Sequence, residues 1–446
     1  MKLSPYPYQE AGIASAISRF RDGDGVLLAD DMGLGKTCQA IGVIDYMPQI
    51  TSVLIVCPAS VKRNWERELH TWMERKLTVG VQRGLNFPDT NIVILNFEAL
   101  KQFRYLIRRQ TFDLLIVDEA HYLKNSSGRA SEVMGKNWGT EFIAPIPARY
   151  KLFLTGSPMP SRPIEIYSLV NFLSPGTFGT RKEFDTKYGQ GENLNELQTR
   201  LRRSIMIRRL KKDVLAELPA KIRQVIELPT GQAGAAVKAE LATFERLQGL
   251  QAQIKARQTS GANPDEPEYQ AAVLALREAE KVAFCEMAKR RHETAVAKIP
   301  AAIAFLDDTC EQSKKVIAFC HHHEVVAALK KHFGARCVVI DGGTSQEARQ
   351  KIVDRFQNDP TIELFIGSAA AREGLTLTAS SHVVMVELDY VPGNVSQAED
   401  RAHRIGQKNA VLVQHLVVEG SLDAKMATMI VEKQAQLDEA LNSQAA

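Results

Sequence analysis

The sequence predicts an α/β protein with two lobes, each built on a doubly wound parallel sheet, and with helical insertions. Three observations lead to this prediction. Short apolar runs alternate with helical patterns in the first third of the chain, the same alternation returns in the last third, and the middle is mostly helical. Near-continuous apolar runs are typical of parallel strands that are buried on both faces. Their alternation with helices favours doubly wound α/β units.

The first predicted lobe takes its elements from the first third of the chain. Its strands are expected at residues 26–29, 53–57, 91–96, 113–117 and 151–154. Helical patterns lie between these strands, for example at residues 37–46 and 60–74. The carboxyl ends of parallel strands share one edge of a sheet, so the segments that follow these strands are expected to face one crevice.

The second predicted lobe repeats this alternation near the end of the chain. Its strands are expected at residues 315–320, 337–341, 363–367, 382–388 and 411–418, with helices at residues 324–333 and 345–357. In the helical middle we expect at most one strand, at residues 223–228. We therefore predict a first lobe over residues 1–225, with a helical protrusion from about residue 162, a helical insertion or linker over residues 226–300, and a second lobe over residues 301–446.

Composition excludes several classes of protein. The 446 residues are 45% hydrophobic and 24% charged, which excludes wholesale disorder. No apolar run approaches the length of a membrane span, and the N-terminus has no apolar signal core. The six cysteines lack CxxC spacing, which favours a reducing compartment over disulfides or zinc. The formal charge of +4 permits a nucleic-acid partner but does not require one.

The strongest local signal is the segment DDMGLGKT at residues 30–37, which follows a strand and opens a helix. Backbone N–H groups of such a loop can cradle phosphates at the positive end of the helix. Lys36 is placed to reach the β- and γ-phosphates of a nucleotide, and Thr37 to ligate Mg²⁺. Asp30 stands where the usual pattern has its first glycine. The alternative is a turn with an exposed lysine, which the strand–loop–helix context disfavours. The candidate nucleotide-binding residues here are Asp31, Met32, Gly33, Leu34, Gly35, Lys36 and Thr37.

Two further segments carry the residue types that phosphoryl transfer uses. Asp118 and Glu119 follow the strand at residues 113–117, where Asp118 could hold Mg²⁺ and Glu119 could deprotonate an attacking water. Arg401 and Arg404, three residues apart, share a face if the segment is helical, and could stabilise charge on the transferring phosphoryl group. The alternatives are a solvated acidic strand end and a charged helix surface. The phosphate loop favours the functional interpretation of both segments.

Taken together, these residues resemble the Swi/Snf-type ATPases of helicase superfamily two, a DEAH-box group, over almost the whole chain. The matching segments are, in chain order, residues 8–9, 30–37, 54–60 with 64–65, 118–121 with 123–125, 154–158, 207–214 and 404–407. The resemblance implies two RecA-like lobes with ATP and Mg²⁺ between them. Three details resemble most the annealing-helicase (HARP-type) branch: residues 161–163, residues 298–300, and residues 374–376 ahead of residues 397–400. The chain starts at the adenine-side motif, so we expect the separate N-terminal DNA-junction module of that branch to be missing.

The resemblance also implies roles for individual residues. Tyr8 and Gln9 match the adenine-side motif. Glu119 matches the general base, Lys36 the phosphate clamp, and Thr37 with Asp118 the magnesium shell. The catalytic set is completed from the second lobe by Gln397, Arg401 and Arg404. The residues that match the coupling between nucleotide and lobe movement are His121, Thr155, Gly156 and Ser157.

DNA contacts are implied by the resemblance alone. The residues that would lie along the tracking strand are Pro58, Ala59, Ser60 and Lys62 in the first lobe and Ser368, Thr376 and Thr378 in the second. A basic cluster near the lobe junction could meet phosphates or brace the fold, and both interpretations stay open; it consists of Arg202, Arg203, Arg208, Arg209, Lys211 and Lys212. Trp65 and Trp72 lie seven residues apart on a predicted helix, which is typical of packing.

These observations predict an ATP-dependent translocase or remodeller of duplex or branched DNA, used in repair or recombination. Two alternatives stay open: a helicase that separates strands, and a DNA-binding adaptor with an inactive ATPase core. We expect a monomer without a membrane partner. A compact chain without chromatin-reading appendages favours the cytoplasm of a bacterium or of a viral host.

Overall fold

The computed structural model describes residues 1–427 except residues 24, 124–127, 139–140, 157, 160–161, 190, 216–217, 260–266, 369–370, 372–373 and 390–391. The strands are β1 (Val26–Leu28), β2 (Val53–Cys57), β3 (Val79–Val81), β4 (Ile92–Asn96), β5 (Phe112–Val117), β6 (Lys136–Trp138), β7 (Glu141–Ile143), β8 (Ala148–Leu154), β9 (Met206–Ile207), β10 (Lys221–Leu228), β11 (Val316–Phe319), β12 (Cys337–Ile340), β13 (Leu364–Gly367), β14 (His382–Met385) and β15 (Val411–Val418).

The helices lie between these strands and on both sides of the two main sheets. They are α1 (Pro7–Arg21), α2 (Lys36–Tyr46), α3 (Lys62–Trp72), α4 (Arg104–Arg108), α5 (Gly128–Met134), α6 (Tyr167–Leu173), α7 (Arg181–Tyr188), α8 (Leu194–Ser204), α9 (Lys211–Val214), α10 (Gly234–Thr259), α11 (Pro267–Ala297), α12 (Ile299–Gln312), α13 (His323–Phe333), α14 (Gln346–Asn358) and α15 (Pro392–Glu399).

The first sheet has the strand order β3-β4-β2-β5-β8-β1-β9, and all its pairings are parallel. Alternate residues of its central strands enter two separate cores, so that Leu54 and Val56 pack on one face and Val53 and Ile55 on the other. This burial on both faces explains the near-continuous apolar runs. The five predicted strands are confirmed. The sequence missed the two edge strands, because β3 is only half-buried with a glycine at its centre and β9 has only two residues.

The second sheet has the order β10-β15-β14-β11-β13-β12 and is also entirely parallel. Its five late strands are confirmed, and so is the strand expected at residues 223–228, which is β10. That strand pairs with β15 along its whole length, and it runs through the boundary at residues 225 and 226 that the sequence predicts. The domain limits themselves stay a prediction. Two doubly wound parallel sheets are therefore the architecture of this chain.

The helical insertion consists of α10 and α11, which pack antiparallel, with Arg246 pairing with Glu286 at 3.2 Å. Its base is anchored on the second lobe, where Lys298 Nζ donates to the carbonyl oxygen of Leu416 at 3.1 Å. Close by, Glu240 is buried at 1% exposure and accepts a hydrogen bond from Thr294 Oγ1 at 3.3 Å. Burial, together with the charge of Asp423, raises the pKa of Glu240 to about 7.

Within the described ranges, no helix combines the length with the apolar character that crossing a membrane requires. The monomeric state and the cellular location stay predictions.

Glu240 should make the stability of this lobe depend on pH. Its folded-state pKa lies above its ordinary value, so the stability it contributes is present below about pH 4.5 and is lost as pH rises through about 7. We expect the free energy of unfolding, measured by urea titration, to fall between about pH 5 and about pH 8. Glu240→Gln should reduce this fall, and Glu245→Gln, an exposed control on the same helix, should keep it. An unchanged slope in Glu240→Gln would contradict this account.

Candidate active site

The loop between β1 and α2 has the geometry of a phosphate-binding turn. Gly33 and Gly35 adopt φ angles of 82° and 73°, in the left-handed region that favours glycine. Gly35 immediately precedes α2, so the first free N–H groups of the helix point into the loop. Lys36, the first helical residue, donates from Nζ to the carbonyl oxygens of Asp30 at 2.8 Å and Asp31 at 3.2 Å. The lysine thus closes the loop upon itself.

The adenine-side residues predicted from the sequence contact this loop directly. Gln9 is buried and donates from Nε2 to the carbonyl oxygen of Leu34 at 3.1 Å. Tyr8 donates from its hydroxyl to the same oxygen at 3.3 Å. A Cβ on Gly35 would lie 2.3 Å from Gln9 Nε2, so α1 approaches the loop closely at this residue. The start of α1 and the phosphate loop therefore form one unit.

The two aspartates of the loop hold a basic segment, which we call the brace segment (residues 208–211). Asp30 Oδ1 accepts the backbone N–H of Arg209 at 2.8 Å and lies 3.3 Å from Arg209 Nε. Asp31 pairs with Arg208 Nη2 at 3.2 Å and accepts the backbone N–H of Lys211 at 3.1 Å. This explains why an aspartate stands in the glycine position, since its carboxylate faces the brace segment.

The predicted basic cluster is divided by these contacts. Arg202 donates from Nη1 to the carbonyl oxygen of Arg208 at 2.8 Å. Arg202 and the three basic residues of the brace segment therefore stabilise the fold, as the second of the two open interpretations proposed. Arg203 is exposed, and the side chain of Lys212 lies outside the described residues.

The acidic pair follows β5. Asp118 Oδ1 accepts the backbone N–H of Glu119 at 2.9 Å, and Oδ2 accepts the indole N–H of Trp65 at 2.8 Å. Burial and the charge of Glu119 raise the pKa of Asp118 to about 7. Burial opposes ionisation of Glu119 too, but His121 and the positive charge of Lys36 outweigh it and hold the pKa of Glu119 below its ordinary value. Neighbouring carboxylates thus have different environments.

The coupling residues predicted from the sequence connect the acidic pair with the phosphate loop. His121 Nδ1 lies 3.1 Å from Thr155 Oγ1 and 3.3 Å from Glu119 Oε2. Thr155 is fully buried at the end of β8. A Cβ on the next residue, Gly156, would collide with Met32 of the loop. Ser157, the last predicted member, lies outside the described residues.

Arg401 and Arg404 lie against this loop but not on a helix. Helix α15 ends at Glu399, and the two arginines follow in a series of turns, which corrects the helical placement used in the sequence analysis. They still share one face, because Arg401 Nη1 and Arg404 Nη1 donate to the carbonyl oxygen of Leu375 at 3.3 and 3.0 Å. A Cβ on Gly33 would lie 3.0 Å from Arg404 Cβ. Burial and the charge of Arg401 lower the pKa of Arg404 to about 10.

One buried donor of the second lobe, Gln397 Nε2, has no hydrogen-bond partner within the described part of the chain, and Gln397 is only 3% exposed. Buried polar groups are nearly always paired in folded proteins. In the first lobe, Glu119 Oε2 has the contact with His121 Nδ1 at 3.3 Å. Gln397 Nε2 is therefore available to a polar ligand.

A buried ionic network, which the sequence analysis missed, ties the lobes together behind the cleft. Lys211 Nζ lies 2.9 Å from Asp400 Oδ1 and donates to the carbonyl oxygen of His403 at 2.5 Å. Lys221 Nζ lies 3.1 Å from the same carboxylate oxygen. Burial opposes ionisation of Asp400, but the charges of the two lysines outweigh burial and hold the pKa of Asp400 well below its ordinary range. The sequence does not reveal such pairs, because each charged residue, taken alone, has the pattern of a solvated surface residue.

Glu399 completes this network. Arg223 binds it through two hydrogen bonds of 2.8 and 2.6 Å, and Lys221 Nζ lies 2.8 Å from its Oε2. Burial opposes its ionisation, but the charges of Lys221 and Arg223 lower the pKa of Glu399 to about 2. The brace segment therefore binds the phosphate loop, and Lys221 and Arg223 of β10 bind Glu399 and Asp400, directly before the turns that carry the arginines.

Most of the predicted DNA contacts lie at the seam between the lobes, which we define by residues 58–62 of the first lobe and residues 374–378 of the second. A Cβ on Gly374 would lie 2.7 Å from Val61 Cγ1. Ala59 is exposed, Ser60 is half-buried and Pro58 is buried. The ammonium of Lys62 binds Gln82 and Asn96 through three hydrogen bonds of 3.0 Å, so it holds its own loop in place.

The remaining predicted contacts belong to the second lobe. The half-buried Ser368 follows β13, and its backbone N–H donates to the carbonyl oxygen of Ile340 at 2.9 Å. Thr376 and Thr378 are half-buried near Gly374, and Thr378 Oγ1 accepts a hydrogen bond from Gln357 at 3.2 Å. Thr376 and Thr378 therefore belong to the seam, and Ser368 lies outside it, at the end of β13.

Two protein-family models match the chain, one over the first lobe with helix α10 and one over most of the second lobe. The SNF2-related domain model matches residues 8–259, and the helicase conserved C-terminal domain model matches residues 297–406. The chain is 33% identical over 470 residues to the mouse protein named DNA annealing helicase and endonuclease ZRANB3, covering 98% of this chain and 40% of that protein. It is also 33% identical, over 466 residues, to a Xenopus laevis protein named SWI/SNF-related matrix-associated actin-dependent regulator of chromatin subfamily A-like protein 1, covering 98% of this chain and 44% of that protein.

A solved structure, the Sulfolobus solfataricus SWI2/SNF2 ATPase core in complex with dsDNA, aligns with 98% of this chain and 94% of its own length, at 23% identity and a TM-score of 0.45. The chain thus spans less than half the length of the two curated relatives.

The buried network should be necessary for stability. Asp400→Asn leaves Lys211 buried without its counter-charge, while Lys221 keeps Glu399. Removing one partner of a buried pair typically costs about 3–5 kcal/mol. We expect a loss of that size in the free energy of unfolding, measured by urea titration. Arg246→Ala breaks the exposed pair with Glu286 and should cost less than about 1 kcal/mol. Equal, small losses in the two variants would show that the network is dispensable.

Proposed function

The chain belongs to the SNF2-related family, and we propose that it is a DNA-dependent ATPase that moves along double-stranded or branched DNA without separating the strands. One observation carries this proposal. The phosphate loop of the first lobe packs against the turns of the second lobe that carry the arginines, where a Cβ on Gly33 would lie 3.0 Å from Arg404 Cβ, and the charge of Arg401 acts on Glu119 of the acidic pair. A cleft shared by two lobes lets a bound nucleotide influence their relative position.

ATP and Mg²⁺ are the ligands that we propose for this cleft. The buried donor Gln397 Nε2, which has no partner within the described residues, fits a ligand that offers acceptors, as phosphate oxygens do. Lys36 would hold the β- and γ-phosphates, while Thr37 and Asp118 would hold Mg²⁺. One hydroxyl and one carboxylate suit this ion, which usually keeps several waters and takes the rest of its ligands from phosphates. When bound, Mg²⁺ would neutralise charge on the phosphate oxygens.

Glu119 is proposed as the general base. Its lowered pKa keeps it ionised, and an ionised carboxylate can accept a proton from a water. His121, held at Thr155, keeps this carboxylate in place. Arg401, Arg404 and Gln397 would donate to the charge that develops on the transferring phosphoryl group, as positioned donors do in related chemistry.

We propose that DNA lies across the seam. Residues 58–62 and the second-lobe set Ser368, Thr376 and Thr378 would contact the backbone of one strand. Because the seam joins the two lobes, a change in their relative position would change the grip on the strand. Contacts to phosphates carry no sequence information, so little sequence preference is expected. The names of the relatives support a role on DNA, and the annealing-helicase branch stays a part of this proposal.

Hydrolysis and movement can be tested together. Phosphate release should rise in the presence of duplex or forked DNA more than with single-stranded DNA. Glu119→Gln should reduce turnover by about 10²-fold or more, which also excludes a contaminating ATPase.

On a duplex that carries a third strand, the protein should displace the third strand and leave the duplex intact. Efficient unwinding of forks without this displacement would favour a strand-separating helicase, and no turnover with saturating DNA would favour an adaptor.

The contribution of the second lobe has a separate test. Arg404→Ala should lower turnover by about 10³-fold, the scale seen for arginines of this kind, while a fluorescent nucleotide still binds to the first lobe. Arg246→Ala, at an exposed arginine of the helical insertion, is the matched control and should retain turnover. Normal DNA-stimulated hydrolysis by the Arg404 variant would remove the second lobe from the active site.

A further inference from the structure

We propose that Trp65 is a positioning residue of the active site, whose indole N–H orients the Asp118 carboxylate for Mg²⁺ and links it, through α3, to the seam between the lobes. This inference rests on the proposed function, because it assigns a purpose to a contact with a proposed magnesium ligand. It concerns a side chain that periodicity alone marks as a core residue.

The contact fixes the orientation of the carboxylate. Trp65 is 1% exposed and packs in the core formed by α1, α2 and α3. Its Nε1 lies 2.8 Å from Asp118 Oδ2, while the other oxygen accepts the backbone N–H of Glu119 at 2.9 Å. Each oxygen therefore has one donor, and the carboxylate cannot rotate without breaking a hydrogen bond.

A tryptophan at this place does more than fill space. A phenylalanine would supply a buried aromatic ring without any polar group, whereas a buried indole N–H requires a partner. Here the partner is the carboxylate that we assign to the metal, not a backbone carbonyl. Hydrogen-bond partners of metal-binding carboxylates orient these ligands, and their loss typically costs 10–100-fold in metal affinity or activity.

The helix that carries Trp65 also reaches the second lobe. Helix α3 begins at Lys62, directly after the residues that we propose to contact DNA. The carbonyl oxygen of Ala59 accepts a hydrogen bond from the side chain of Gln346, at the start of α14. On the same helix, two residues after Trp65, Arg67 Nη1 donates to Gln350 Oε1 of α14 at 3.1 Å. DNA or a lobe movement that shifts the start of α3 would therefore shift Trp65 with it.

The same helix offers a matched control. Trp72 lies seven residues further on and donates its indole N–H to Glu68 Oε2 at 2.9 Å. This contact is also an indole N–H on a carboxylate, but Glu68 is not among the residues assigned to the nucleotide or the metal. Trp65→Phe and Trp72→Phe therefore remove the same chemical group from one helix, and only the first removes it from Asp118.

The experiment measures binding of a fluorescent ADP to the full chain, in EDTA and across a Mg²⁺ titration. Mg²⁺ should tighten ADP binding, and Trp65→Phe should raise the Mg²⁺ concentration that gives half of this effect by about 10-fold or more. The affinity for ADP in EDTA should be unchanged. Trp72→Phe should match the unsubstituted protein in both conditions. An unchanged Mg²⁺ midpoint in Trp65→Phe, or an equal loss of affinity in EDTA, would overturn the proposal.

The link to the seam is tested by repeating the titration with saturating duplex DNA. DNA should change the Mg²⁺ midpoint of the unsubstituted protein, and Trp65→Phe should lose most of that change. A change of full size in Trp65→Phe, or none in the unsubstituted protein, would overturn the link. If Trp65→Phe does not fold, benzothienylalanine placed at position 65 keeps the ring size and removes only the N–H. Failure of the proposed function is distinct, because the unsubstituted protein would then show no DNA-stimulated phosphate release.

Discussion

Lys211 connects the two halves of the active site. Its backbone N–H binds Asp31 of the phosphate loop, and its ammonium binds Asp400 of the second lobe. Burial lowers the pKa of Lys211 to about 8 against the attraction of that carboxylate. A buried charge must keep its partner, because an unpaired ion in the interior is very costly. The distance between the loop and the arginine-bearing turns is therefore constrained, and the shape of the cleft depends on that constraint.

Within the cleft, environment assigns different properties to similar groups. Asp118 and Glu119 are adjacent carboxylates, yet the pKa of one is raised and that of the other is lowered. The cause is the set of neighbours. Burial and the charge of Glu119 raise the pKa of Asp118 more than the indole hydrogen bond of Trp65 lowers it, whereas His121 and positive charges outweigh burial at Glu119. Two carboxylates with separated pKa values are suited to different tasks in one reaction. The proposed roles of Asp118 in metal binding and of Glu119 in proton acceptance rely on this difference.

Much of the fold and part of the site could be predicted from the sequence. The central strands are long enough, and apolar enough on both faces, to be recognised without tertiary information. The loop at residues 30–37 and the acidic pair follow such strands, so their shared edge could be predicted too. Strand β9 escaped because two residues show no period. Arg401 and Arg404 were placed on a helix, whereas their common face comes from shared donation to Leu375 across a series of turns.

The sequence by itself determined the two parallel sheets and the order of their motifs, and it predicted which residues form the nucleotide site, because these depend on local periodicity and on which strand each motif follows. Tertiary structure alone decided which charges are buried together. It showed that Arg208, Arg209 and Lys211 brace the phosphate loop, that Asp400 holds two lysines, and that Trp65 reaches a carboxylate distant in sequence. The physical reason is that ion pairs and hydrogen bonds depend on distances between atoms, and residues far apart in the chain acquire those distances only when the sheets and helices pack.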